Sequence, residues 1–459
     1  MPVPLDKAKS QMSEQLELAL FAPGEPREGE GSGEAELAGN GNTDPGMMRL
    51  MELVVTPENL KAAWKRVRRN KGSPGIDGMR VEELGEWLKG NWDRVRGEIL
   101  SGSYVPSPVL RAEIPKAGGG MRQLGIPTVA DRLIQQMILQ VLGPRIDPTF
   151  SEWSFGFRPG RSGHDAILAA HEMIRSGRKV VVDVDLKTFF DLVQHDVLME
   201  RLSRRIGDKV LLRLIRGYLQ AGILAGGLVM ERHEGTPQGG PLSPLLANIL
   251  LDEIDQELER RGHRFVRYAD DCNVYVRSQR AGERVMSLLR SLYGRLRLEV
   301  NEQKSAVAPA HSRKFLGYDF WYARSGEVRR GVAGKTLATF KSKVRELTRR
   351  ARGVSFARVV DELTVFLRGW KAYFQLAQTS RVFRDLDKWI RHRLRVYRLS
   401  QWKRGRVIFR ELHRLGVPTE IARSAARCQN GLWRNSAHSL NAALTLRYFD
   451  QLGIPRLAD

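Results

Sequence analysis

Residues Arg264–Val276 read RFVRYADDCNVYV. Two β-forming runs, Phe265-Val266-Arg267 and Asn273-Val274-Tyr275-Val276, flank the polar string Tyr268-Ala269-Asp270-Asp271. Two strands joined by a tight Asp-containing turn predict a hairpin. Adjacent carboxylates at its tip repel each other and call for a cation. Mg²⁺ suits that demand, because it takes oxygen ligands and shares them with substrate phosphates. A bare Asp-Asp pair is also what an ordinary turn contains, so the pair does not decide alone. A second set lies upstream. Lys179–Val182 is a β-forming run leading into Asp183-Val184-Asp185-Leu186, and strand alternation puts Asp183 and Asp185 on one face. Carboxylates on an apolar central strand are costly unless they pair or bind metal. Asp185 and Asp270 on neighbouring strands would hold two Mg²⁺ roughly 3.5–4 Å apart, one activating a hydroxyl and one stabilising a leaving oxygen.

Outward from that string, strands are predicted over 109–114, 179–186, 228–233, 264–268, 273–276 and 314–322. Helices are predicted over 129–142, 163–176, 195–205, 209–221, 242–260 and 282–298. Helices packed on a mostly antiparallel sheet make an α+β fold. Thr56-Pro57 opens an earlier helix with Leu60, Ala63, Trp64 and Val67 on one side. From about Gly334 the pattern is helical.

By length alone, 459 residues suggest about three domains. Lys and Arg number 75 against 52 Asp and Glu, a net of +23. That excess argues against an ordinary acidic metabolic enzyme and for a polyanionic partner, either nucleic acid or an anionic membrane surface. No apolar run reaches the roughly 18 residues of a membrane span, and no signal-peptide pattern opens the chain. Cys272 and Cys428, the two cysteines, exclude a disulfide scaffold or CxxC zinc module and suit a reducing cytoplasm. Residues 1–46 hold nine acidic and three basic residues and are rich in Gly and Glu, which predicts a disordered acidic leader. Residues 330–410 hold 22 Lys or Arg and five Asp or Glu, so this stretch carries +17. Within it Phe383, Leu386, Ile390, Leu394 and Tyr397 share one helix face. Arg384, Lys388, Arg391, Arg395 and Arg398 share another, which contains no acidic residue. A solvated face normally mixes signs; this one matches the footprint of a phosphate backbone, and RNA contact is expected there. Leu363, Phe366, Leu367, Trp370, Tyr373 and Phe374 repeat at helical spacing and read as core.

Nine blocks stand in an order that resembles the group II intron-encoded reverse transcriptases/maturases: GIDG (75–78), IPK (114–116), RQLGIPTVADRLIQQ (122–136), SFGFRPGRSGHDAI (154–167), DVDLKTFFD (183–191), TPQGGPLSPLLANILLDEID (236–255), RYADD (267–271), KS (304–305) and KFLGYDF (314–320). The resemblance covers roughly Trp64 to Trp402. It implies a right-hand polymerase whose metal-binding catalytic centre is Asp185, Asp270 and Asp271. Asp270 is the stronger assignment, Asp271 the less constant ligand, and Asp183 a supporting group. Phe190 occupies the position whose ring screens the sugar against a ribose 2′-OH, while Phe189 reads as core. Lys116 and Arg122 flank a Gly-rich turn and would touch the incoming nucleotide, as would Gln238; surface charges on a plain hairpin would look similar. Arg158, Arg161, Lys304, Leu316 and Gly317 resemble template and primer contacts, although loop charges and ordinary strand residues fit some of them equally.

The resemblance divides the chain into a leader (1–46), fingers and palm (47–325), a helical thumb/maturase region (326–425) and a tail (426–459). The tail is either a DNA-binding remnant or helical capping. The implied partners are intron RNA, an RNA template, a DNA primer, dNTPs and target DNA, with no membrane, in the cytoplasm. No Cys-paired endonuclease follows, so second-strand cleavage is not expected of this chain. The rival readings are a free-standing reverse transcriptase, a non-catalytic RNA-binding splicing factor and an RNA-templated RNA polymerase. Intact Asp185, Asp270 and Asp271 argue against the second, and Phe190 against the third.

Overall fold

The computed structural model describes residues 47–115, 121–225, 228–232, 234–237, 239–428, 431–437 and 439–458. Its strands are β1 (Val109–Pro115), β2 (Met121–Ile126), β3 (Val180–Val184), β4 (Ile223–Ala225), β5 (Leu228–Met230), β6 (Arg264–Tyr268), β7 (Asp271–Val276), β8 (Ala306–Pro309), β9 (Tyr318–Tyr322) and β10 (Val328–Val332). They form sheets in the orders β2-β1-β4-β5, β6-β7-β3-β8 and β10-β9. The fold is α+β, as expected. The expected leader 1–46 lies outside the described residues.

The chain divides into two compact units. One contains residues up to 162 together with 182–307; the other contains 163–181 and 308–459. In the first, local sequence sets the helices directly. Thr56 caps Pro57–Asn70 through a hydrogen bond from Asn59 N, and Lys71 ends that helix in the left-handed region. Leu60, Ala63, Trp64 and Val67 are its buried face. The helix Ser243–Arg260 is apolar over most of its circumference and is buried by the sheet that carries the carboxylates, contributing Asn248, Asp252 and Asp255 to the interior.

The second unit is mainly helical. The helix Gly163–Arg175 packs with the β9–β10 hairpin. Phe340 lies 4.4 Å from Trp370 and 5.5 Å from Phe366, so the Gly334–Leu347 and Phe356–Tyr373 helices share an aromatic core. The face expected to be wholly core is mixed. Leu363 and Leu367 are fully buried, but Tyr373 is 41% exposed and spends its hydroxyl on Leu316 O. Residues 439–458 fold back on the long helix Ser380–Trp402 and bury Leu440, Leu444 and Phe449 completely.

Candidate functional site

β6 and β7 pair with Tyr268 opposite Asp271, which leaves a two-residue loop of Ala269 and Asp270. Ala269 has φ 58°, a left-handed conformation that costs a non-glycine residue about 1–2 kcal/mol. Three contacts hold it there. Arg267 Nη1 donates to Ala269 O at 2.8 Å. The Trp153–Phe155 segment runs beside β6, with Arg267 N donating to Trp153 O and Phe155 N to Arg267 O, each at 2.9 Å. Gly156 lies so close that a Cβ there would come within 2.1 Å of Ala269 N. Arg267 is fully buried and makes an ion pair with the equally buried Asp255, its Nη2 2.6 Å from Oδ2. Burial alone would lower the Arg267 pKa, but Asp255 outweighs it and the net shift is upward; burial also raises the Asp255 carboxyl, against the pull of Arg267. Arg267 Nη1 also donates to Asn248 Oδ1, and Asn248 Nδ2 donates to Gly156 O. One buried network therefore grips both the Asp270 loop and the segment that supports it.

β3 lies next to β7 and carries Asp183 in the same sheet; Asp185 follows one residue beyond the end of β3. Burial, then the charges of Asp271 and Asp183, push the Tyr275 phenol well above its ordinary pKa. Asp185 is anchored through its backbone: its N–H donates to Ser305 Oγ, and its carbonyl accepts from Asn301 N at 2.8 Å. Lys304 Nζ is 3.1 Å from the Asp185 carboxylate. The expected primer-side lysine thus supplies positive charge to the carboxylate site itself. Cys272, next to the pair, is fully buried, and burial raises its thiol pKa, which makes it inert.

Among the described residues no group of three or more His, Cys, Asp or Glu side chains closes into a cation cage. The donor chemistry still fits a hard divalent ion. These carboxylates offer only oxygen, the Asp185 side chain is 37% exposed, and an ion that shares ligands with substrate phosphates needs only one or two protein carboxylates.

On the expected nucleotide side, Phe189 is buried and Phe190 half-buried, with their rings edge to face 5.0 Å apart. Phe190 O accepts from Thr236 N at 2.7 Å, which ties the Thr236-Pro237 loop to the Phe190 backbone. Gly239 follows with φ 138°, and a Cβ there would sit 2.7 Å from Gly125 O in β2. Phe190, this loop and the strand that carries Arg122 are thereby drawn together, although Arg122 is placed only through its backbone. Lys116 and Gln238 lie outside the described residues.

Arg158 requires a correction. It is 7% exposed, and its guanidinium is engaged by the Asp147 carboxylate at 2.8 Å and by the carbonyls of Asp147, Ser151 and Ser154. The FRPG turn folds this side chain inward as a staple, so it does not face a template. Arg161 is half-buried over the Phe155 ring and donates to Glu152 O.

In the second unit, the expected strand 314–322 starts with a tight turn. Phe315 and Tyr318 exchange backbone hydrogen bonds at 2.9 Å, with Leu316 at φ 49° and Gly317 at φ 82°. Tyr373 Oη donates to Leu316 O at 2.9 Å, and Ala333 N and Thr336 Oγ1 each donate to Gly317 O at 3.1 Å. Tyr373, read as core, is therefore a positioning group for that turn; its phenol amid apolar neighbours was the available signal.

The continuous basic face on Ser380–Trp402 also requires correction. Arg384 and Lys388 are exposed, but Arg391 and Arg395 are 1% and 6% exposed beneath the C-terminal helices. Arg398 is stacked 4.7 Å from Phe356 and 5.1 Å from Trp402. A helical wheel cannot show that a later segment covers the second half of the stripe. A different basic surface is open: a cavity of about 930 Å³ lined by Arg345, Arg349, Arg350, Arg393, Arg434 and the half-exposed Trp433.

Residues 114–320 match the family described as reverse transcriptase (RNA-dependent DNA polymerase), and residues 337–416 match the group II intron maturase-specific domain. Protein YkfC of Escherichia coli (strain K12) is 39% identical over 227 residues, which cover 48% of this chain and 60% of that protein. The group II intron-encoded protein LtrA of Lactococcus lactis subsp. cremoris is 28% identical over 365 residues, covering 64% of this chain and 61% of that protein. The chain thus spans about three-fifths of the length of these curated relatives. Among solved structures, a chain of a partial Cas6-RT-Cas1--Cas2 complex is similar at a TM-score of 0.35 and 26% identity, covering 53% of this chain and 42% of that one. Among the described residues no helix is long and apolar enough to cross a membrane.

Proposed function

Given that the chain belongs to the group II intron-encoded reverse transcriptase/maturase family, we propose that it is an RNA-directed DNA polymerase that also binds its intron RNA and assists splicing and retromobility. The observation that carries the polymerase reading is the hairpin tip. Asp270 stands at the end of a two-residue loop held by a fully buried ion pair, in the sheet whose strand β3 leads into Asp185. Rigid support of this kind suits a group that must meet a reacting phosphate in fixed geometry. Reverse transcriptases use divalent metal ions; here Asp185, Asp270 and Asp271 would hold Mg²⁺, two ions in all. When bound, these ions would activate the primer 3′-OH and neutralise the charge that develops on the triphosphate.

The protein's own groups supply the remaining selectivity. The Phe190 ring screens the sugar and disfavours a 2′-OH. Arg122, with Lys116 and Gln238, contacts the incoming dNTP. Arg161 and Lys304 contact the template–primer duplex, and Leu316 and Gly317, on their pinned turn, grip the primer. Residues 47–325 act as fingers and palm and residues 326–425 as thumb and maturase region, in the cytoplasm. Arg384, Lys388 and the arginine-lined cavity with Trp433 provide a surface for intron RNA, which is read through phosphates, shape and unstacked bases. Target DNA is the substrate for retromobility.

The test is primer extension on an RNA template with dNTPs and Mg²⁺, beside Asp270→Ala. Extension by the wild type, lost in the variant, is expected. Folded wild-type protein that extends nothing, alone or with intron RNA added, would overturn the polymerase assignment.

A further inference from the structure

The covered half of the basic stripe faces a cavity of about 760 Å³ between the Ser380–Trp402 helix and residues 437–456. Arg391 and Arg395 line it from inside; Lys388, Arg447 and Arg456, all exposed, line it from outside. The two inner guanidinium groups sit one helical turn apart. Arg395 Nε donates to Leu444 O, and burial, with repulsion from Arg391, pulls its pKa down to about 10. Arg391 Nη1 is satisfied by Asp387, but its Nε and Nη2 have no hydrogen-bond partner although the side chain is only 1% exposed. Two carboxylates stand nearby. Asp387 already accepts from Arg391 and from the backbone N–H groups of Leu457 and Ala458, and Asp450 is paired with Arg456 and lies 3.7 Å from Arg391 Nη2. Five cations against two committed carboxylates leave a positive excess around the cavity, with two of the cations, Arg391 and Arg395, buried beside orphaned donors. Burying like charges with unmet donors is unfavourable, and an oxyanion in the cavity would relieve both penalties.

We infer that this cavity is a phosphate site that takes one phosphodiester of an RNA strand, with Arg391 and Arg395 as the inner donors and Lys388, Arg447 and Arg456 as the rim. The assignment rests on the proposal that the chain binds RNA and extends it by giving the C-terminal residues a role. They form the second wall of the site, so the buried arginines are its floor. Guanidinium is suited to that position because its planar fork meets two phosphate oxygens and is less strongly hydrated than an ammonium group.

The experiment uses the full chain. RNA affinity is measured against salt concentration with intron RNA for the wild type, for Lys388→Ala/Arg447→Ala and for Arg391→Lys. Lys341→Ala/Arg406→Ala, a pair of exposed cations away from the cavity, serves as control. Thermal melting is followed with inorganic phosphate against chloride at matched ionic strength. The rim double variant should bind more weakly and lower the slope of log affinity on log salt by about one unit, while the control pair leaves the slope unchanged. Phosphate should raise the wild-type melting temperature, and Arg391→Lys, which keeps the charge but loses the fork, should abolish that rise. If Arg391→Lys fails to fold, the rim variant, whose residues are exposed, carries the test. Tight RNA binding with an unchanged slope in the rim variant would overturn the site while leaving RNA binding standing. A wild type that binds no RNA would overturn the reading on which the site rests. Stabilisation by phosphate with an unchanged RNA slope would assign the cavity to a free phosphate and overturn the phosphodiester.

Discussion

Removing the Arg267 side chain separates positioning from stability. Arg267→Met leaves Asp255 fully buried without its partner, and breaking a buried pair in this way costs about 3–5 kcal/mol. That is a large share of the roughly 5–15 kcal/mol that holds a typical protein folded. Arg267→Met/Asp255→Leu removes both charges and fills the space with apolar atoms. Such replacements are often close to neutral, so the double variant should recover to within about 1–2 kcal/mol of the wild type. It does not restore the donor to Ala269 O or Asn248 Oδ1. The strained Ala269–Asp270 loop then loses its inner tether, and a displacement on the order of 1 Å at the reacting centre can cost about a hundredfold in rate. Denaturant unfolding gives the stability, and single-turnover extension of a bound primer on an RNA template gives the rate. Recovered stability with extension slowed about ten- to hundredfold is expected. Wild-type extension by the recovered double variant would show that the network stabilises the sheet without positioning Asp270.

Other outcomes follow from the same geometry. Gly156→Ala forces a methyl to within 2.1 Å of Ala269 N, so it should slow extension by at least tenfold, with the Kd for primer–template unchanged; normal extension would show that the supporting segment yields freely. Phe190→Ala should raise rNTP incorporation relative to dNTP in competition assays, and an unchanged ratio would remove the ring from sugar selection. Burial, the leading cause, holds the pKa values of His195, His171 and His263 below their ordinary 6.5, so the unfolded chain takes up these protons first as pH falls. Stability is therefore intact above about pH 6.5 and is lost as pH drops through that value. The melting temperature should fall between pH 7.5 and 5.5, less steeply in His195→Gln, and a parallel fall in both proteins would exclude His195 as a contributor.

The carboxylate hairpin was legible because its signals are local. β-forming runs on both sides of ADD fix the register that puts Asp270 in the loop, whereas the expected alternation of Asp183 and Asp185 along one strand is cut short, because β3 ends at Val184. Helices such as Pro57–Asn70 carried their caps and apolar faces in plain sight. What could not be read depends on distant chain. The helix Leu84–Ser101 was missed because Gly90 and Gly97 dilute its pattern, and β10, reading VRRGV, looks like a charged loop until β9 pairs with it. Arg267 reads only as part of a β-forming run, since nothing local reveals that Asp255, twelve residues earlier on a helix, meets it in the core. Arg158 and Arg391 failed as surface contacts for the same reason: Asp147 and the C-terminal helices cover them from elsewhere in the sequence. Charge in a sequence gives the sign of a side chain but not which way it faces.

A single-turnover incorporation experiment on a preformed complex of protein, RNA template and DNA primer bears most directly on the polymerase centre. Wild type, Asp185→Asn and Asp270→Asn are compared at saturating dNTP and Mg²⁺, with primer–template affinity measured in parallel. Both variants should bind the duplex as the wild type does and lose at least about a thousandfold in incorporation rate, as expected when charge stabilisation at the reacting phosphate is removed. Near-normal incorporation by either variant would contradict the placement of the catalytic centre at these carboxylates.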